Sequence, residues 1–111
     1  MRFFTSIRTE GASTQLVPHC IPTNPGEENL DTLEYFLSCE YCEALCKLLL
    51  PVLQGPPPVE PIRFSLNVTD VTIQGELCHI SDPLSTECVL TRTELLQVLL
   101  EFGAHMRPGQ N

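Results

Sequence analysis

Apolar residues recur at steps of three and four from Leu30 through Leu33, Leu37, Tyr41, Leu45 and Leu48 to Val52. That is the period of a helix with a wide apolar face. Glu40, Glu43 and Lys47 fall together on its opposite side. The spacing predicts one helix over 31–50, with Asp31 as its cap and Glu34 closing the box. Pro51 and the run Gly55–Pro58 are expected to end it, because proline lacks the N–H and clashes with the preceding turn. A second helix is predicted after "TRTE", where Thr91 caps and Glu94 closes the box, with Gly103 as its C-terminal cap.

Between the helices the period changes to two. Ile62, Phe64, Leu66 and Val68 alternate with polar residues, and Val71, Ile73, Gly75 and Leu77 alternate in the opposite parity. Thr69 and Asp70 therefore mark a turn or a bulge. An antiparallel hairpin is the preferred reading and a single bent strand the alternative. "SDPLSTE" reads as loop and "CVL" as a short strand. Residues 1–8 alternate loosely, as an edge strand would. Residues 9–28 carry Gly11, Pro18, Pro22, Pro25 and Gly26 and read as an extended loop, of a length that is either mobile or functional. The expected fold is α+β: two main helices packed on a small antiparallel hairpin or sheet in a single two-layer domain. The expected boundaries are an N-terminal segment 1–28, a globular domain 29–104 and a polar tail 105–111.

Composition narrows the function. Six lysines and arginines against fourteen acidic residues leave a net charge of −8 in 111 residues. Nucleic acid and anionic membranes are disfavoured as partners, and basic proteins are favoured. The N-terminus lacks the apolar core of a signal peptide, and the longest apolar stretch, "LCKLLLPVL", contains Lys47 and Pro51. The chain is expected to be cytoplasmic or nuclear with reduced thiols. Six cysteines and the glycosylation acceptor "NVT" at 67–69 would instead suit a secreted protein.

Cys39, Cys42 and Cys46 lie within about 60° of one another on an ideal helix and border the stripe that holds Leu45 and Leu49. They are expected to pack as small apolar side chains, with no cofactor. The alternative is a zinc-stabilised regulatory domain using Cys39, Cys42, Cys78 and Cys88, since "CEYC" has the spacing of a zinc knuckle. A thiol enzyme is a third reading. It is weakened because Cys78 and His79 are adjacent on a strand and point to opposite faces, and His19-Cys20 has no evident third group to orient it. A non-enzymatic protein-interaction module is the leading expectation. "LCKLL" at 45–49 and "LQVLL" at 96–100 both match L-x-x-L-L, a pattern able to dock in a groove. Leu96, Leu99, Leu100 and Phe102 are the candidate partner-binding residues. Homodimerisation through helix 92–102 follows from the apolar crowding there, and the acidic face of the first helix is a further candidate surface.

"NVTDV" at 67–71, the cysteine at 78 and "VLTRTELLQVL" at 89–99 resemble a stretch near the start of the adenovirus early-region-four regulatory proteins. The resemblance implies a small viral accessory protein that binds host factors, as that family recruits ubiquitin-ligase components. It excludes the helix at 31–50 and the proline cluster. After Leu100 the family's cysteine-dense continuation is replaced by "EFGAHMRPGQN". No residue role carries over from it.

Overall fold

The computed structural model describes residues 1–105. The tail expected from 105 onward lies, apart from His105, outside the described residues. In chain order the elements are β1 (Arg2–Glu10), β2 (Ser13–Ile21), α1 (Leu30–Glu40), α2 (Glu43–Gln54), β3 (Ile62–Ser65), β4 (Asp70–Gln74), β5 (Leu77–Ser81), β6 (Glu87–Thr91) and α3 (Arg92–His105). The α+β class is as expected, with three helices and two antiparallel sheets in place of two helices on one.

The larger sheet is a meander in the order β3-β4-β5-β6. Its register pairs Val71 with Ile80, Ile80 with Cys88, Ile73 with Cys78 and Cys78 with Leu90. All six side chains are buried on one face, as strict alternation demands. The preferred hairpin at 62–74 is present, with residues 66–69 as its loop and the Leu66 N–H donating to the Thr69 carbonyl. The run at Val71–Leu77 is not one strand. Gly75, at φ 58°, begins a two-residue turn between Gln74 and Leu77, a position that favours glycine.

Three sequence expectations for the first predicted helix are corrected. The long helix is two: Tyr41 leaves the helical region at ψ 121°, and Cys42 caps α2 by accepting the Leu45 N–H at 3.4 Å. The first helix starts from Asn29, at φ 55°, not Asp31, and the Asn29 amide reaches the Glu87 carbonyl. Pro51 lies inside α2, which runs on to Gln54. Proline costs one hydrogen bond, to exposed Lys47, while the Arg92 guanidinium supplies donors to the Val52, Leu53 and Gly55 carbonyls beyond it.

Residues 9–21, read as loop, complete β1 and provide β2. It pairs with β1 over the full length of both strands, from Arg2–Ile21 to Glu10–Ser13. Gly11, at φ 59°, begins the turn. The inner face of this hairpin sets Phe3 edge-on against Phe102, with ring centroids 6.3 Å apart. Helix α1 packs on β2 and also on β5 and β6, and α3 packs on β1, β5, β6 and α2. The core therefore joins Leu33, Phe36, Leu37, Leu49, Leu95 and Leu99 to the buried face of the larger sheet.

Gly103 is not a cap but a helical residue inside α3, and a Cβ there would run into the Tyr41 hydroxyl. The Tyr41 ring also meets Phe102 edge-on at 5.0 Å. Gly103→Ala is expected to destabilise the fold by about 1 kcal/mol, the clash outweighing alanine's better helix propensity. Measured in a Tyr41→Phe background by chemical denaturation, the same substitution should become neutral or stabilising.

Candidate partner-binding groove

Helix α1 presents Asp31 and Tyr35 one turn apart on its outer side, and the loop between β5 and β6 presents Asp82, Pro83 and Leu84 beside them. These five residues line a groove of about 450 Å³. Asp82 builds the loop. Its Oδ1 accepts the N–H groups of Leu84 and Thr86, each at 2.9 Å. Its Oδ2 accepts the hydroxyl of buried Thr32 at 3.3 Å, tying the loop to α1. The Asp82 N–H donates to the Thr86 carbonyl and the Ser85 N–H to the Asp82 carbonyl, with Ser85 at φ 64°. So tight a turn leaves the Leu84 side chain nowhere to go but outward, and it is 87% exposed. Tyr35 is 39% exposed. Partial burial, then Cys39 and the carboxylates of Glu40 and Asp82, push the Tyr35 hydroxyl's pKa up, which keeps it a hydrogen-bond donor.

The charge of the groove is uncompensated. Among the described residues Lys47 pairs with Glu43, Arg63 with Asp70 and Arg92 with Glu76, and no lysine or arginine pairs with Asp31 or Asp82. The arrangement offers two carboxylates, an aromatic ring and an exposed aliphatic side chain within one depression. Sequence reasoning placed the acidic face of the first helix at Glu40, Glu43 and Lys47, which is not this groove, and read the loop at 81–87 as a plain connection.

The other candidates are scattered. Leu99 and Phe102 are 1% and 2% exposed, so they pack inward and offer nothing to a partner. Leu96 is half-buried and Leu100 half-exposed. Of "LCKLL", Leu45 and Leu49 are core and Leu48 is outside.

The cysteines also depart from expectation. Cys46 is buried, but Cys39 and Cys42 are exposed: Cys39 lies on the outer side of α1, one turn beyond Tyr35, and Cys42 is the cap residue of α2. Cys78 and Cys88 lie fully inside the sheet's buried face. The proposed zinc ligands Cys39, Cys42, Cys78 and Cys88 are thus divided between surface and core. No group of three or more metal-binding side chains converges among the described residues. Burial pushes the Cys20 thiol up to about 12 and those of Cys78 and Cys88 up to about 11. All three stay protonated at neutral pH, which does not suit a nucleophile.

His19 points away from Cys20. It stacks on Phe4 at 4.7 Å and meets the Ser6 hydroxyl at 2.7 Å on the open outer face of the hairpin. No carboxylate bonds to His19 among the described residues, so nothing orients it as a base. His79 faces Glu87 at 3.1 Å, on the side of β5 opposite Cys78.

By fold and surface, then, this is a small α+β protein with an acidic, aromatic-lined groove. No family model, no curated protein and no solved structure matches the chain. No helix of the described residues is long and apolar enough to cross a membrane.

Proposed function

We propose that the protein is a non-enzymatic interaction module that holds a basic segment of another protein in the groove formed by Asp31, Tyr35, Asp82, Pro83 and Leu84. The observation that carries this is the pair of carboxylates left without a cation beside an exposed tyrosine and an exposed leucine. A lysine or arginine of the partner meets Asp31 and Asp82 and lies against the Tyr35 ring, where a cation–π contact adds to the ion pairs. A neighbouring aliphatic residue of the partner covers Leu84. The net charge of −8 steers such a partner toward the protein. The setting is the cytoplasm or nucleus, where six free cysteines, four of them buried, remain reduced. A regulatory accessory role toward host proteins, as the early-region-four resemblance implies, fits a protein that works by contact and not by catalysis.

Panning a random peptide library against the protein should enrich sequences with lysine or arginine next to a large aliphatic residue. The selected peptide should bind more weakly as salt rises. Asp31→Lys and Leu84→Asp should each weaken it about tenfold. Asp82 is left intact because it builds the loop. Absence of basic enrichment, or binding unchanged by both substitutions, would refute the groove as the site.

A further inference from the structure

The β1–β2 hairpin stands out from the body. Ten consecutive residues, Ser6 to Gln15, are exposed in regular strand and turn, and Ile7 is 68% exposed. A bare two-stranded ribbon is marginal in water, so its free edges matter.

The register decides which edge is free. Pro18 has no N–H, so the Thr5–Pro18 pair cannot be one that exchanges hydrogen bonds. Alternation makes Phe3–Cys20, Ile7–Leu16 and Thr9–Thr14 the same type. The Cys20 N–H agrees, pointing out of the ladder to the Glu34 carboxylate at 2.7 Å. It follows that Phe3, Thr5, Ile7 and Thr9 direct their main-chain N–H and C=O groups away from β2, along the outer edge of β1. Among the described residues no strand pairs with that edge. The β2 edge is different: Pro18 lacks a donor and Glu34 already holds the donor at Cys20.

We infer that β1 is a dimerisation edge, pairing antiparallel with β1 of a second copy about a two-fold axis at Ser6. Only outward-facing residues can exchange hydrogen bonds, so the allowed registers pair odd positions with odd positions. The register centred on Ser6 uses the whole strand and sets Phe3 opposite Thr9 and Thr5 opposite Ile7. On the outer face it sets Arg2 opposite Glu10 and Phe4 opposite Arg8, each twice by symmetry. Opposite charges and a cation–aromatic pair thus face each other across the new ladder. Centring on Thr5 instead would put Arg2 against Arg8, and centring on Ile7 would put Phe4 against Glu10. Net charge supports the choice. Residues 1–21 carry Arg2 and Arg8 against Glu10 alone, in a chain of net −8, so the hairpins are the parts of two copies that repel least. A notch of about 170 Å³ between Met1, Phe3 and the Glu94, Gln97 and Glu101 side of α3 sits at the N-terminal end of β1. There the partner hairpin's tip arrives. The proposal is independent of the groove, which lies on α1 and the β5–β6 loop.

Sedimentation equilibrium on the full chain, from micromolar to about 100 µM, reads the test directly. The expected result is twice the 12.4 kDa chain mass at the upper concentrations. Ile7→Pro removes one outward N–H and leaves the β1–β2 ladder intact, as Pro18 already does across the hairpin. It should raise the dissociation constant by roughly tenfold or more with an unchanged circular dichroism spectrum. Glu10→Arg alone should weaken the dimer, and adding Arg2→Glu should restore it. If Ile7→Pro perturbs folding, this charge exchange decides the matter. A monomer at about 100 µM, a dimer indifferent to Ile7→Pro, or a charge exchange without rescue would each overturn the inference.

Discussion

Arg92→Ala is expected to lower the unfolding free energy by roughly 3 kcal/mol, the largest loss from any single polar side chain here. The side chain is buried at the junction of α2, α3 and the β4–β5 turn. Its Nη1 donates to the carbonyls of Val52 at 3.2 Å, Leu53 at 3.3 Å and Gly55 at 2.8 Å. Helix C-termini leave carbonyls without internal partners, and Pro57 and Pro58 follow too closely for the chain to fold back over them. One guanidinium therefore does for α2 what a glycine cap does elsewhere. Alanine would strand those carbonyls away from water and open a cavity. Lysine should recover only part of the loss, because a single ammonium lacks the planar fork that also reaches Glu76 at 3.3 Å. The Nε has no partner among the described residues, so the site carries one unmet donor even in the native protein. Urea denaturation of Arg92→Ala, Arg92→Lys and the parent should rank them in that order of rising stability. Equal midpoints would show that water caps the helix as well.

Glu40→Ala is the second large effect, at roughly 2–3 kcal/mol. Glu40 ends α1, yet its side chain is 4% exposed. The carboxylate accepts the N–H groups of Asn67, Val68 and Thr69 at 3.3, 3.1 and 3.0 Å, and the Thr69 hydroxyl at 2.6 Å. Burial works against the charged form, but the Thr69 hydroxyl and the loop N–H groups outweigh it and hold its pKa below the usual carboxylate value. The sign follows. With the folded pKa depressed, ionised Glu40 contributes its full stability above the ordinary glutamate pKa, near 4.3. That contribution is lost as the pH falls through the depressed folded value. The parent should therefore lose stability on acidification below about pH 4.3 more steeply than Glu40→Gln, which has no proton to take up. Parallel stability–pH curves for the two would contradict this account. Glu40→Gln should already be weaker at pH 7, since an amide turns one of its ends toward donors.

These contacts explain why some of the fold was legible in the chain and some was not. The start of the helix at 92–105 was, because its apolar steps and its Thr91–Glu94 box are local, and both box hydrogen bonds form, at 2.9 and 3.1 Å; its end was not, since Gly103 lies within the helix. The buried face of the larger sheet was half legible. Alternation found β3 and the start of β4, but the turn at Gly75 was hidden inside an unbroken alternation. The break between α1 and α2 was not legible, since the apolar period runs straight through it. It is a tertiary effect: Glu40 is drawn into a loop twenty-seven residues away, toward the Asn67 N–H, and Cys42 restarts the helix. Strand β2 was missed because prolines read as loop, whereas Pro18 sits where no ladder hydrogen bond is required. Of the groove, Asp31 was singled out in the sequence as a helix cap and Tyr35 carried no signal, while the acidic face read at Glu40, Glu43 and Lys47 lies elsewhere, with Glu40 buried. The outward thrust of Leu84 depends on the Asp82 turn, whose shape no period records.

Pro18 and Glu34 have a further consequence. A ribbon open on both sides could add chain after chain and grow into a fibre. Here a strand arriving beside β2 would find no amide at position 18 and a carboxylate already bonded at position 20. Growth can proceed on one side alone, so any assembly built through the hairpin terminates at a closed pair. Substituting Pro18 with valine would remove half of that stop.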